Sequence, residues 1–133
     1  MTIEAQGSRT GGALIIDDVP FIRKLLLQHL WRAGWRPVVE AASGREALAC
    51  LKGNRFDLIL LDVALPDVDG IDLLPAIKRL QPKATVLVVT AAASSPVVRR
   101  AKVAGAYSVL VKPVDSEYLG SLLRELREGR KDE

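Results

Sequence analysis

The sequence predicts an α/β domain: a doubly wound parallel sheet built from five βα units. Three observations carry this. Five short apolar runs alternate strictly with five amphipathic stretches along 133 residues. The runs are nearly continuous in Val, Ile and Leu, as strands buried on both faces require. Right-handed crossovers then return each intervening helix to the sheet, so the alternation itself implies a layered fold.

The elements follow in order. "MTIEAQGSRTGG" has little periodicity, and residues 1–11 are expected to form a flexible N-terminal tail. "ALII" (13–16) is the first strand, and "DDVP" leads into a helix whose Ile22, Leu25, Leu26 and Leu30 fall at helical spacing. Pro20 suits its first turn. "RPVVEAA" (36–42) is the second strand, and Ser43 and Glu46 stand at capping-box spacing before the second helix. "LILL" (58–61) is the third strand, followed by "DGIDLLPAIKRL" as helix. "TVLVV" (85–89) is the fourth, and "SSPVVRRAKVAGA" the fourth helix, with Ser95 as its cap and Pro96 in its first turn. "SVLV" (108–111) is the fifth strand, and Leu119, Leu122, Leu123 and Leu126 give the last helix one apolar stripe. The domain is expected to span 12–127, with 128–133 as a charged tail where the helix frays.

Composition narrows the class. A hydrophobic content of 49% against 26% charged residues is that of one domain with a real core. The net charge of +3 is spread along the chain, too mild to imply direct nucleic-acid binding. No basic-then-apolar leader pattern occurs, and no apolar run approaches the roughly 20 residues of a membrane span, so a cytoplasmic protein is expected. Cys50 is the sole cysteine, which excludes an internal disulfide and points to a half-buried structural thiol.

The chemistry is concentrated at strand ends: Asp17 and Asp18 follow the first strand, Asp62 the third, Thr90 the fourth and Lys112 the fifth. Ligands of open parallel sheets bind at the carboxyl ends of strands, where strand order reverses. In the flavodoxin-like order 2-1-3-4-5, strands 1 and 3 are neighbours, with their ends about 5 Å apart, and three carboxylates converge. Such a cluster stays folded either by keeping one acid neutral or by binding a hard divalent cation, for which Mg2+ is the natural choice. A carboxylate nucleophile, a cation, a lysine and a hydroxyl together meet the needs of a phosphoryl group.

"ALIIDDVP", "LILLDVALPDVDG", "VVTAA" and "LVKPV" resemble, in order and spacing, the motifs of response-regulator receiver domains of two-component signalling. The resemblance covers about residues 12 to 127. It implies that Asp62 is the phospho-acceptor, taking phosphate from a phosphohistidine of a sensor histidine kinase or phosphotransfer protein. It also implies that Asp18 is a direct Mg2+ ligand, with Asp17 its acidic neighbour and the Ala64 backbone carbonyl a further ligand. Thr90 and Lys112 match the groups that contact phosphoryl oxygens, and Pro113 the proline after a cis Lys-Pro bond. The family's usual output or dimer surface is the face formed by helix 4, strand 5 and helix 5, where a downstream protein or a second copy would bind.

The sequence departs from the commonest family pattern at Val109, where a Tyr or Phe switch is usual; Tyr107 lies two residues off. Ala64 and Ala92 carry no polar side chain at positions that tune hydrolysis in the family. Val109 motivates the alternative of a phosphorylation-independent pseudo-receiver interaction module. An aspartyl-phosphate phosphatase is disfavoured by the adjacent Asp17 and Asp18 and the short chain, and no G-x-G-x-x-G or P-loop suggests a nucleotide domain. His29 is expected as a packed helix residue, Asp69 as turn or cap chemistry, and Arg99, Arg100 and Lys102 as a solvated basic cluster.

Overall fold

Each apolar run becomes a strand, and all five pair in parallel. The computed structural model of the protein describes residues 11–131. The expected N-terminal tail, apart from Gly11, and residues 132–133 lie outside the described residues. In chain order the elements are β1 (Gly12–Ile16), α1 (Pro20–Arg32), β2 (Val38–Ala41), α2 (Gly44–Gly53), β3 (Phe56–Leu61), α3 (Gly70–Leu80), β4 (Thr85–Thr90), α4 (Ser95–Val103), β5 (Ser108–Val111) and α5 (Ser116–Lys131). The sheet order is β2-β1-β3-β4-β5, as the flavodoxin-like expectation requires.

Side chains alternate across the sheet and build two cores. Leu14, Ile16, Ile59, Leu61, Val86 and Val88 face α2, α3 and α4. Ala13, Ile15, Leu58, Leu60, Leu87 and Val89 face α1 and α5. The central strands β1 and β3 are buried along their whole length, which explains their lack of polar alternation. Cys50 is half-buried and packs against the first core, as a structural thiol does.

Boundaries move where tertiary contacts intervene. β2 is shorter than "RPVVEAA", running from Val38 to Ala41, with the Pro37 carbonyl just before it accepting the Ala13 N–H at 2.9 Å. The cap of α4 is Ser94, not Ser95. Extended backbone at Ser94 sets its hydroxyl to accept from the Val97 N–H, which makes Ser95 the first helical residue and leaves Pro96 in the first turn. α5 continues to Lys131, past the boundary expected at 127. Arg127 ties it there, donating Nε to the Gly34 carbonyl at 3.1 Å and lying over the Trp35 ring at 5.8 Å. No helix among the described residues is long and apolar enough to cross a membrane.

Candidate functional site

Strand parity assembles the site. Asp17, Asp62 and Lys112 each stand two residues after a side chain of the α1/α5 core, Ile15, Leu60 and Leu110, so all three emerge on the same side of the sheet's carboxyl edge. β1 and β3 are neighbours, whereas β5 lies beyond β4, and only a long side chain bridges that gap. Lys112 does so: its Nζ donates to Asp17 Oδ2 at 2.7 Å and to Asp62 Oδ2 at 2.8 Å. Asp17 and Asp62 are 1% and 5% exposed, so the pairing answers the cost of burying their charge. Their other oxygens are also held, Asp17 Oδ1 by the Val19 N–H at 2.9 Å and Asp62 Oδ1 by the Ala64 N–H at 3.1 Å.

Burial pushes the Asp17 carboxyl above its ordinary value, against the hydrogen bonds from Lys112 and Val19 that pull it down. For Lys112, burial acts to lower the ammonium, but hydrogen bonds to Asp17 and Asp62 outweigh it and hold the pKa above the ordinary lysine value. Lys112 is therefore a fixed cation at neutral pH.

Oxygens of Asp17, Asp18 and Asp62 lie within 4.8 Å of one another. Asp18 is exposed at the mouth and accepts no hydrogen bond among the described residues. Three carboxylates thus cluster beside one ammonium, which pairs with Asp17 and Asp62 and leaves Asp18 on the side open to solvent. An oxygen-only donor set with surplus negative charge fits a hard divalent cation such as Mg2+.

The loop after β3 is built for close approach to Asp62. A Cβ on Gly70 would lie 2.2 Å from the Asp62 carbonyl oxygen, so only glycine lets α3 begin there, and the Gly70 N–H donates to the Val63 carbonyl at 2.7 Å. Asp69 caps α3 by accepting the Ile71 N–H at 2.9 Å, the cap chemistry expected of it. Asp67 takes the Gly44 and Arg45 N–H groups, each at 2.9 Å, and so ties this loop to the start of α2. Those two backbone bonds hold its carboxyl below its ordinary value. A depressed acid stabilises the fold above its unfolded pKa and loses that contribution as pH falls through the folded one. Asp67→Asn is therefore expected to lower the urea midpoint at neutral pH, by a margin that shrinks as pH falls below the unfolded aspartate value of about 3.9 and through the depressed folded one. A midpoint difference that persists unchanged in acid would contradict the tie.

The remaining expectations are placed as follows. Thr90 is fully buried; its Oγ1 accepts the Ala92 N–H at 3.1 Å, which leaves its own proton free to donate. No hydrogen bond joins it to Asp62 among the described residues. Ala64 reaches Asp62 through its N–H. The Lys112–Pro113 bond is cis. Val109 is half-buried against the α2–α4 core, and Tyr107 is 59% exposed, so neither presents a buried ring beside Thr90. His29 lines an apolar groove of about 370 Å3 between α1 and α5, together with Leu25, Pro113 and Lys112, nearer the strand ends than its helix position alone suggested. Burial and Arg32 hold its imidazole below its ordinary value.

Three contacts escaped the sequence. Arg100 is not merely solvated: it pairs with Asp72 at 3.2 Å and Asp69 at 3.7 Å, linking α4 to the start of α3. Asp67 caps a helix 22 to 23 residues earlier in the chain. Arg23 donates to the Asp17 carbonyl at 2.7 Å. Only the last left a trace, a lone acid, Glu40, in an apolar strand within reach of an arginine in the first turn of α1.

Comparison with known proteins agrees with this geometry. Residues 13–124 match the family model described as the response regulator receiver domain. The chemotaxis protein CheY of Thermotoga maritima is 35% identical over 100 residues, which cover 75% of this chain and 83% of that protein. A CheY-like receiver domain protein from Methanospirillum hungatei superposes with a TM-score of 0.82 at 32% identity, covering 93% of this chain and 99% of the other. A response regulator from Burkholderia pseudomallei, solved with a phosphorylated aspartic acid, calcium ion and citrate, gives 0.78 at 30% identity, covering 92% and 72%. The chain also spans 24% of a transcriptional regulatory protein of Escherichia coli. With four strand-end motifs in their places, a sheet of order 2-1-3-4-5 and a family match across most of its length, the chain belongs to the response-regulator receiver domains of two-component systems.

Proposed function

We propose that this receiver domain is a phosphorylatable switch, in which Asp62 accepts a phosphoryl group from the phosphohistidine of a sensor kinase or phosphotransfer protein. The observation that carries this reading is the ion-paired, nearly buried Asp62 beside the buried Asp17 and the exposed Asp18. The Asp62 carboxylate attacks phosphorus while the bond to the imidazole nitrogen breaks, and the electron pair leaves with the ring. Lys112 then neutralises the phosphoryl oxygens that replace its carboxylate partner. The Thr90 hydroxyl, whose proton is uncommitted, donates to another of these oxygens. Asp17, Asp18, Asp62 and the Ala64 carbonyl would hold Mg2+, which when bound supplies further charge neutralisation at the transferring group. The domain assists its own phosphorylation and dephosphorylation and is a switch rather than an enzyme acting on a separate substrate.

The output face in this reading is α4-β5-α5, where Val103, Tyr107, Val111 and Tyr118 are all exposed. They offer apolar contact area to a downstream protein or a second copy. A phosphorylation-independent interaction module is the second reading, favoured by the absence of a ring at Val109. Beryllofluoride with Mg2+, monitored by amide NMR, separates the two. The switch predicts shifts at Thr90 to Ala92 that extend along α4 and β5, beyond those caused by Mg2+ alone. Shifts confined to the acidic cluster would favour the second reading.

A further inference from the structure

We propose that Arg23 is a positioning residue for the acidic cluster: its guanidinium holds the Asp17 carbonyl and thereby fixes the peptide that carries Asp18. The inference rests on the cation site proposed above and names what sets its geometry.

Asp17 is anchored at every polar atom. Its N–H donates to the Ala41 carbonyl at 3.1 Å, its carboxylate accepts from Val19 and Lys112, and its carbonyl accepts Arg23 Nη1 at 2.7 Å. Asp18 has no comparable anchor: its side chain is exposed, and its backbone direction depends on the plane of the peptide between residues 17 and 18. The carbonyl of that peptide is the one Arg23 grips. A charge-assisted bond of this length is among the stronger hydrogen bonds a backbone oxygen receives.

Arg23 is itself clamped. Its Nε donates to Glu40 Oε1 at 3.1 Å, while Lys24 Nζ donates to Glu40 Oε2 at 3.1 Å, and the Arg23 side chain is 16% exposed. Glu40 sits on β2 opposite Ile15, on the face that α1 covers, so the clamp runs from the edge strand through the helix to the loop. The guanidinium fork meets the Asp17 carbonyl and the Glu40 carboxylate with two different nitrogens held in one plane, whereas a lysine would have to serve both from a single nitrogen.

The sign of the effect separates positioning from charge. A cation beside the cluster, acting through its charge alone, would oppose a divalent ion, so its removal would tighten Mg2+ binding. Positioning predicts the reverse. We would titrate Mg2+ into the parent, Arg23→Met and Arg23→Lys, following amide shifts of residues 17, 18 and 62, with urea midpoints measured in parallel. Arg23→Met is expected to weaken Mg2+ about tenfold, the scale found when a partner that orients a metal ligand is removed. Arg23→Lys, which keeps a donor for the carbonyl, should recover part of the loss. Unchanged or tighter binding in Arg23→Met would overturn the assignment. So would a loss that Arg23→Lys fails to recover and that merely tracks the urea midpoint. A parent that binds no Mg2+ would remove the cation site itself, and the inference with it.

Discussion

Replacing Lys112 with methionine is expected to destabilise the domain by about 3 kcal/mol at neutral pH, the lower end for removing one partner of a buried pair. Asp17 and Asp62 would face each other with the ammonium gone from between them. The lower end applies because the Lys112 side chain is 16% exposed and water reaches it. The pH dependence has a definite sign. Burial already raises the Asp17 pKa against the pull of Lys112, so losing the ammonium raises it further, and an acid with a raised pKa gains relative stability as pH falls toward its unfolded value. The deficit of Lys112→Met should therefore shrink as pH falls from neutral toward the unfolded aspartate value of about 3.9. Millimolar Mg2+ should also stabilise the variant more than the parent, because the ion replaces the missing charge. Urea midpoints at two pH values, with and without Mg2+, check this. A deficit constant under all four conditions would mean that Lys112 matters for packing rather than charge.

The second large effect lies at the opposite edge of the sheet. Trp35 is 1% exposed, its Nε1 donates to the Leu123 carbonyl at 3.0 Å, and Arg127 covers its ring. Trp35→Ala is expected to cost about 3–5 kcal/mol in stability through the cavity it leaves and the lost bond to the Leu123 carbonyl. Trp35→Phe keeps most of the packing and loses the N–H, so its cost should be about 1–2 kcal/mol. The Trp35 loop precedes β2 and is remote from the strand carboxyl ends, so acyl phosphate formation by the folded protein should be unchanged. Chemical denaturation alongside a phosphorylation assay tests both halves. A stable Trp35→Ala, or a folded one that cannot be phosphorylated, would contradict the division of labour between the two edges.

The contrast between these residues shows what the sequence made legible. Asp17, Asp18, Asp62 and Lys112 could be read because each breaks an apolar run at its carboxyl end, and a parallel sheet brings all such ends to one edge. Layering was legible for the same reason, since alternation leaves few topologies. Trp35 carries no local signal beyond a large apolar side chain. Its partner carbonyl lies 88 residues away, and nothing local encodes that meeting. Asp67 and Arg100 were misjudged or missed in the same way, because their partners are set by how loops land on neighbouring helices. Ser94 and Ser95 were both compatible with capping, and only the backbone path chose between them. Local signals fixed what each residue is suited to do; long-range packing decided whom it does it with.

The proposed switch requires Asp62 as its phosphoryl acceptor. Intact mass after incubation with acetyl phosphate and Mg2+ tests this most directly, alongside Asp62→Asn and a metal-free control. A gain of one phosphoryl group, reversed by hydroxylamine and absent from both controls, is the result this account predicts. An equal gain in Asp62→Asn, or none in the parent under conditions where it binds beryllofluoride, would contradict it.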